Sequence, residues 1–201
     1  MSAGAHAGAG PAVEPASDAS LLAAAAAGDA AAFRALLKRH GGRVHACALR
    51  LTRDEPAAEE IVHDTFLAMV REAKTFRFES SLSTWLYRVT LNRCRDWARK
   101  ESRQQELSGQ TGPAPDIMDE SPDPLDAMVS GERTERLDAL VAELPSEMRE
   151  VVALRFAAGL SYDEIAATLG CPPGSVASRL HRALRRLGAR LEALGLTPEA
   201  I

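Results

Sequence analysis

Aromatic side chains are scarce in this chain, at 4% of 201 residues, and valine, isoleucine and threonine are thin beside alanine and leucine. Strands draw on the residue types in short supply, so the intrinsic preference is helical and an all-α fold is expected. Cysteine is scarce too. Cys47, Cys94 and Cys171 are widely spaced and odd in number, which argues against a disulfide framework and against a paired-cysteine zinc site. They read as buried small apolar residues, and no metal or cofactor is expected. No apolar run approaches the roughly 20 residues that a bilayer span requires. The alanine-rich stretch 21–27 is broken at Gly28 and Asp29, and no basic flank of a signal peptide precedes it. The expectation is a cytoplasmic protein without direct membrane insertion.

What is present is unevenly spread. The formal net charge of −4 hides a local +4 over residues 85–103, where Arg88, Arg93, Arg95, Arg99, Lys100 and Arg103 face only Asp96 and Glu101. Residues 176–190 hold five arginines and no acid, whereas residues 104–132 hold seven acids and no base. Two basic patches flanking an acidic connector point to nucleic acid as a partner.

Residues 1–18 contain almost no large apolar side chain, so nothing offsets the entropy of ordering them, and a disordered tail is expected. Helical periodicity then runs over residues 19–103. Residues 104–132 include Gly112-Pro113-Ala114-Pro115 and Ser121-Pro122-Asp123-Pro124, where proline removes donors and restricts the residues before it. This reads as a flexible acidic linker between two small helical domains, 19–103 and 133–195.

The second domain carries the sharper pattern. After Leu144-Pro145, a helix running through Arg149 to Phe156 is expected to end at Gly159. Ser161-Tyr162-Asp163-Glu164 is a capping box, so a short helix starts at Tyr162, buries Ile165, Ala166 and Leu169, and stops at Gly170. Pro172-Pro173 suits the first turn of another helix. In that helix Val176, Leu180, Ala183, Leu184 and Leu187 form an apolar stripe, leaving Ser175, Ser178, Arg179, Arg182 and Arg185 facing away. Two helices joined by a short glycine turn make a helix-turn-helix, whose second helix enters the major groove. Serine and arginine there donate to base edges and phosphates. A helical hairpin with solvated arginines is the plainer alternative; the capping box, glycine turn and prolines in order favour DNA.

In the first domain Ile61, Val62, Phe66, Met69 and Val70 share one helical face over residues 59–71, while Glu60, His63, Asp64, Leu67 and Arg71 share the other. A leucine exposed among charges marks a surface that docks to another protein. Glu60 and His63 also have the spacing of a di-iron ligand pair, but the second pair such a site needs is missing. Further along, Leu82, Leu86, Val89 and Trp97 are expected in the core, and Trp85, Arg88, Asn92, Arg95 and Arg99 line one stripe. That mixture suits unstacked bases: rings stack, arginine holds phosphate, and an amide reads a base edge. The plainer alternative puts Trp85 in the core and solvates the charges. The five histidines are scattered, which disfavours a metalloenzyme, and no enzyme activity is expected. A free-standing helix-turn-helix regulator would need a sensor pocket or phospho-acceptor carboxylates, and the first half shows neither.

Four motifs together resemble the extracytoplasmic-function (ECF) sigma factors of bacterial RNA polymerase over about residues 28–190. They are Ala58-Glu59-Glu60-Ile61-Val62-His63-Asp64-Thr65-Phe66-Leu67, Ser83-Thr84-Trp85-Leu86-Tyr87-Arg88 with Asn92, Leu144-Pro145 followed by Arg149-Glu150-Val151, and Gly159-Leu160-Ser161-Tyr162-Asp163-Glu164-Ile165-Ala166. The resemblance implies that Glu60, His63, Asp64, Leu67 and Arg71 dock on the coiled coil of the largest polymerase subunit. It implies −10 element contacts at Phe76, Arg77, Trp85, Tyr87, Arg88, Asn92, Arg95 and Arg99, with the loop 75–82 capturing a flipped base in front of Asn92. Duplex contacts at the −35 element would fall to Ser175, Ser178, Arg179, His181, Arg182 and Arg185. The linker would thread near the polymerase active centre, the second domain would meet the flap, and an anti-sigma factor would supply the restraint. His63 stands where the family usually has glutamine, and Ala177 where many members carry a basic residue.

Overall fold

The computed structural model describes residues 16–77, 79–108 and 137–194; the first fifteen residues of the tail expected over 1–18 and most of the expected linker lie outside them. In the first domain, helix starts coincide with side chains that satisfy free amide donors. Ser17 Oγ accepts from the Ser20 amide at 3.2 Å and opens α1, Asp18–Ala26. Asp29 Oδ1 accepts from Ala31 and Ala32 and opens α2, Ala30–Thr52. Asp54 Oδ1 accepts from Ala57 at 2.7 Å, with Pro56 in the first turn, and opens α3, Glu55–Glu72. Ser81 Oγ accepts from the Thr84 amide ahead of α4, Leu82–Ser108. No strand occurs among the described residues.

Two boundaries differ from expectation. The first helix begins at Asp18, inside the stretch read as tail, because Ser17 supplies a cap. α4 continues five residues past Arg103 into the stretch read as linker. Gln104, Gln105, Glu106 and Leu107 are good helix formers, and the first proline of that stretch comes only at Pro113.

The second domain contains α5, helical over 137–142, then α6, Ser146–Val152, α7, Tyr162–Leu169, and α8, Pro173–Ala193. α6 runs on into a π turn, Ala153–Ala157, and the chain then reverses at Gly159, whose φ is +73°. α8 packs on α6 and α7. Within the first domain α2 is central, with α1, α3 and α4 packed on it.

The domains are in contact. The π turn packs on α2, α7 packs on α4, and one continuous set of buried apolar side chains runs from Leu22 to Leu187. Leu36, Leu86, Leu154 and Ile165 are fully buried in it, each contributing about 1.5–3 kcal/mol of burial free energy. Leu82 and Leu86 are core residues as expected, but Val89 and Trp97 are only half-buried, and Tyr87, Leu91 and Cys94 take buried positions instead. Cys47 is buried as well, whereas Cys171 is half-buried.

Candidate nucleic-acid interface

Where α3 gives way to a 3-10 turn, Ala73–Thr75, a cavity of about 440 Å³ opens to the surface between that turn and α4. Phe76 and Trp85 meet edge to face on its wall, with ring centroids 6.1 Å apart. Arg77 and Arg88 line it too, together with the carboxylates Glu72 and Glu79 and the hydroxyls of Thr75 and Ser80. Trp85 and Arg88 belong to the stripe read from helical spacing, and Phe76 and Arg77 to the residues that the resemblance implies; the two acids were not singled out. Rings that stack, carboxylates that accept from amino groups, and arginines that neutralise phosphate can together hold one unpaired base.

The rest of the α4 stripe does not converge on this cavity. Asn92, expected behind the loop, lies one turn beyond Arg88, lines no part of the cavity, and accepts from Arg95 Nη1 at 3.4 Å. Tyr87, expected at DNA, is buried at 3% exposure, and its hydroxyl donates to the Ala158 carbonyl at 3.5 Å. It sits one position from Leu86 on the face that meets the second domain, and burial pushes its pKa up to about 12. Arg88 Nη2 donates to the Ala167 carbonyl at 2.8 Å. Arg95 makes a two-pronged pair with Glu150, Nε to Oε1 and Nη2 to Oε2, both at 2.7 Å. That hydrogen-bonded carboxylate holds Arg95 above the usual arginine value. Arg99 pairs with Asp96 within its own helix and remains exposed.

On α3, Glu60, His63 and Arg71 are exposed, while Leu67 is half-buried rather than fully exposed. Asp64 receives a 2.7 Å hydrogen bond from Arg93, which ties this face to α4.

The second domain presents the helix-turn-helix in full. Ser161 Oγ accepts from the Glu164 amide while Glu164 accepts from the Ser161 amide at 2.8 Å, closing the capping box. Those bonds hold Glu164 below its usual range. Gly170 adopts φ +65°, a left-handed conformation open to glycine without strain, and the chain turns through Pro172 into α8. Val176, Leu180, Ala183 and Leu187 bury the inward stripe. Leu184 lies off it and is 46% exposed. Ser178, His181, Arg182 and Arg185 are exposed, while Ser175 and Arg179 are half-buried, the latter paired with Glu147 at 3.2 Å. Ser178 Oγ donates to the Ser175 carbonyl. Arg185 and Arg186 have no ion-pair partner among the described residues. No cluster able to hold a metal occurs among those residues, and no helix of theirs is long and apolar enough to cross a membrane.

This geometry defines an all-α protein of two helical domains with a helix-turn-helix in the second. Two family descriptions match in that order: Sigma-70 region 2 over residues 36–104 and Sigma-70, region 4 over residues 134–187. The ECF RNA polymerase sigma-E factors of Salmonella typhimurium and Escherichia coli are each 29% identical over 175 residues, covering 83% of this chain and 90% of the relative. The RNA polymerase sigma-H factor of Pseudomonas aeruginosa is 28% identical with the same coverage. The structure of CnrH in complex with the cytosolic domain of CnrY superposes with a TM-score of 0.65 at 28% identity, covering 88% of this chain and 97% of that one. The sigma factor RpoE in complex with the anti-sigma factor NepR, from Bartonella quintana, gives 0.64 at 27% identity, with 80% and 96% covered. The chain belongs to the sigma-70 family and, within it, to the extracytoplasmic-function type.

Proposed function

We propose that this sigma factor acts in the cytoplasm as the promoter-specificity subunit of core RNA polymerase, performs no bond chemistry of its own, and is restrained by an anti-sigma factor. Its domain over 19–103 docks through Glu60, His63, Asp64, Leu67 and Arg71 and holds an unpaired −10 base in the Phe76 and Trp85 cavity. Its domain over 133–195 reads the −35 element as duplex through α8, with Ser178, His181, Arg182 and Arg185 at the groove. The observation that carries this reading is the pairing, on one chain, of an aromatic-lined cavity and an exposed arginine face on separate domains. One suits an unstacked strand and the other a major groove. The relatives named as sigma factors, the solved pair of CnrH with the cytosolic domain of CnrY, and the solved pair of a sigma factor with the anti-sigma factor NepR support the assignment of partners.

Run-off transcription with purified core polymerase tests it. The expected result is initiation from a defined start only when chain and core are combined. A chain that never associates with core, yet binds duplex tightly alone, overturns the reading in favour of a free-standing regulator.

A further inference from the structure

Resting on the reading of the Phe76 and Trp85 cavity as the seat of an unpaired base, we infer that Glu72 and Glu79 select that base. The cavity takes one that carries an exocyclic amino group, whether cytosine, adenine or guanine, and rejects thymine. Both carboxylates line the cavity beside Arg77 and Arg88, Glu72 as the last residue of α3 and Glu79 from the stretch ahead of α4. Two acids and two arginines surround one space, yet no ion pair forms between them. Among the described residues the side chains of Glu72 and Glu79 meet no cation and no donor, and the Arg77 guanidinium meets no acceptor. It is the main-chain carbonyl of Glu72 that takes the Thr75 hydroxyl, at 2.9 Å, so the carboxylate stays free. Arg88 donates to the Ala167 carbonyl at 2.8 Å and to neither acid.

An ionised carboxylate only accepts hydrogen bonds, so it sorts bases by the donors they carry. Cytosine presents the N4 amino group, adenine the N6 amino group, and guanine N1–H beside its N2 amino group. Thymine presents two keto oxygens with a single N3–H between them. A carboxylate that reaches this donor sets its second oxygen against O2 or O4. Once a base covers the cavity, an acceptor left facing a keto oxygen costs more than an absent contact. The hydroxyls of Thr75 and Ser80 both donate and accept, and therefore do not discriminate. Like charge keeps the backbone phosphate off the acids and on the arginines, so a base seated against Trp85 turns its edge, rather than its phosphate, to Glu72 and Glu79.

Competition binding tests this with the full chain assembled on core polymerase. The ligand is a single-stranded oligonucleotide carrying the non-template −10 segment of a promoter that the protein initiates from, and each position in turn is made 5-methylcytosine or thymine. These two bases share one outline and differ in an amino group against a keto group. At one position 5-methylcytosine should bind about tenfold more tightly than thymine. When Glu72→Gln and Glu79→Gln are combined, the preference should collapse, chiefly through a gain for thymine, because an amide also donates to a keto oxygen. Both acids are exposed, so the double variant leaves the core untouched. A preference that survives the double variant, or no preference at any position, overturns the inference. Trp85→Ala, measured in parallel, separates it from the reading on which it rests. Weaker binding of both oligonucleotides by Trp85→Ala, with an unmoved preference in the double variant, sinks only the role of the acids. Unchanged binding by Trp85→Ala removes the base from the cavity altogether.

Discussion

α4 and α8 carry similar arginine complements and satisfy them to different extents within the chain. On α4, Arg88, Arg93, Arg95 and Arg99 are all engaged within the chain, by Ala167, Asp64, Glu150 and Asp96. On α8, Arg179 and Arg190 pair with Glu147 and Glu143, but Arg185 and Arg186 meet no ion-pair partner among the described residues, and Arg182 donates only to the Ser178 carbonyl of its own helix. The difference lies in the neighbours. α8 has its apolar stripe covered by α6 and α7 and leaves its other face to solvent, whereas α4 is covered on one side by its own domain and on another by α7. Arg182, Arg185 and Arg186 of α8 are thus open to a partner as the chain stands, whereas the α4 arginines are satisfied first by groups of the chain itself.

The largest effect should come from the shared core that brings α4 and α7 together. Leu154, fully buried in the π turn that packs on α2, should cost about 2–5 kcal/mol when changed to alanine. Calorimetry should show a single transition moved down in temperature, and two well-separated transitions would break the claim that the domains share a core. Next comes the exposed face of α8: Arg182→Ala should weaken −35 binding of the polymerase complex by about 1–3 kcal/mol. Equal binding to every promoter variant would remove α8 from sequence reading. On the α4 side, Trp85→Ala should cost about 1–3 kcal/mol in single-strand binding, and Asn92→Ala should cost less, because Asn92 lies outside the cavity. The reverse order would move the base site along the helix.

The smallest effect concerns the capping box. Glu164 sits below the ordinary glutamate value of 4.5 in the fold because it accepts from Ser161. A depressed folded pKa stabilises the native state above the unfolded value and loses that contribution as pH falls through the folded one. Glu164→Gln should therefore destabilise by about 1 kcal/mol near neutrality, and the gap to the parent protein should close below pH 4.5 in thermal melts. A gap that persists in acid would show that the carboxylate charge contributes nothing.

The elements that rest on short-range chemistry were legible in the sequence. Ser161 with Glu164, Gly170, and the stripe Val176, Leu180, Ala183 and Leu187 specify the helix-turn-helix from within some thirty residues, and each of these local signals agrees with the others. Of the eight residues that the resemblance implies at the −10 element, Phe76, Arg77, Trp85 and Arg88 line one cavity, whereas Tyr87, Asn92, Arg95 and Arg99 do not. What escaped was the contact between domains. Helical spacing indicates that Tyr87 and Glu150 are polar groups on their helices, but not that each is covered by the other domain, since sequence separations of 71 and 55 residues leave no local periodicity to read. A lone acid among Val151, Val152 and Met148 was the one available hint, because a carboxylate on a buried face needs a partner from elsewhere. Leu184 and Trp97 were misplaced because each lies at the margin of an apolar stripe, where a shift of one position decides between core and surface.

The most direct test of the central claim is permanganate and nuclease footprinting of one mapped promoter with the chain alone, with core alone, and with both. The account predicts protection of the −35 duplex and reactive, unpaired thymines at the −10 element only when both are present. The same protection and unpairing by the chain alone would contradict it.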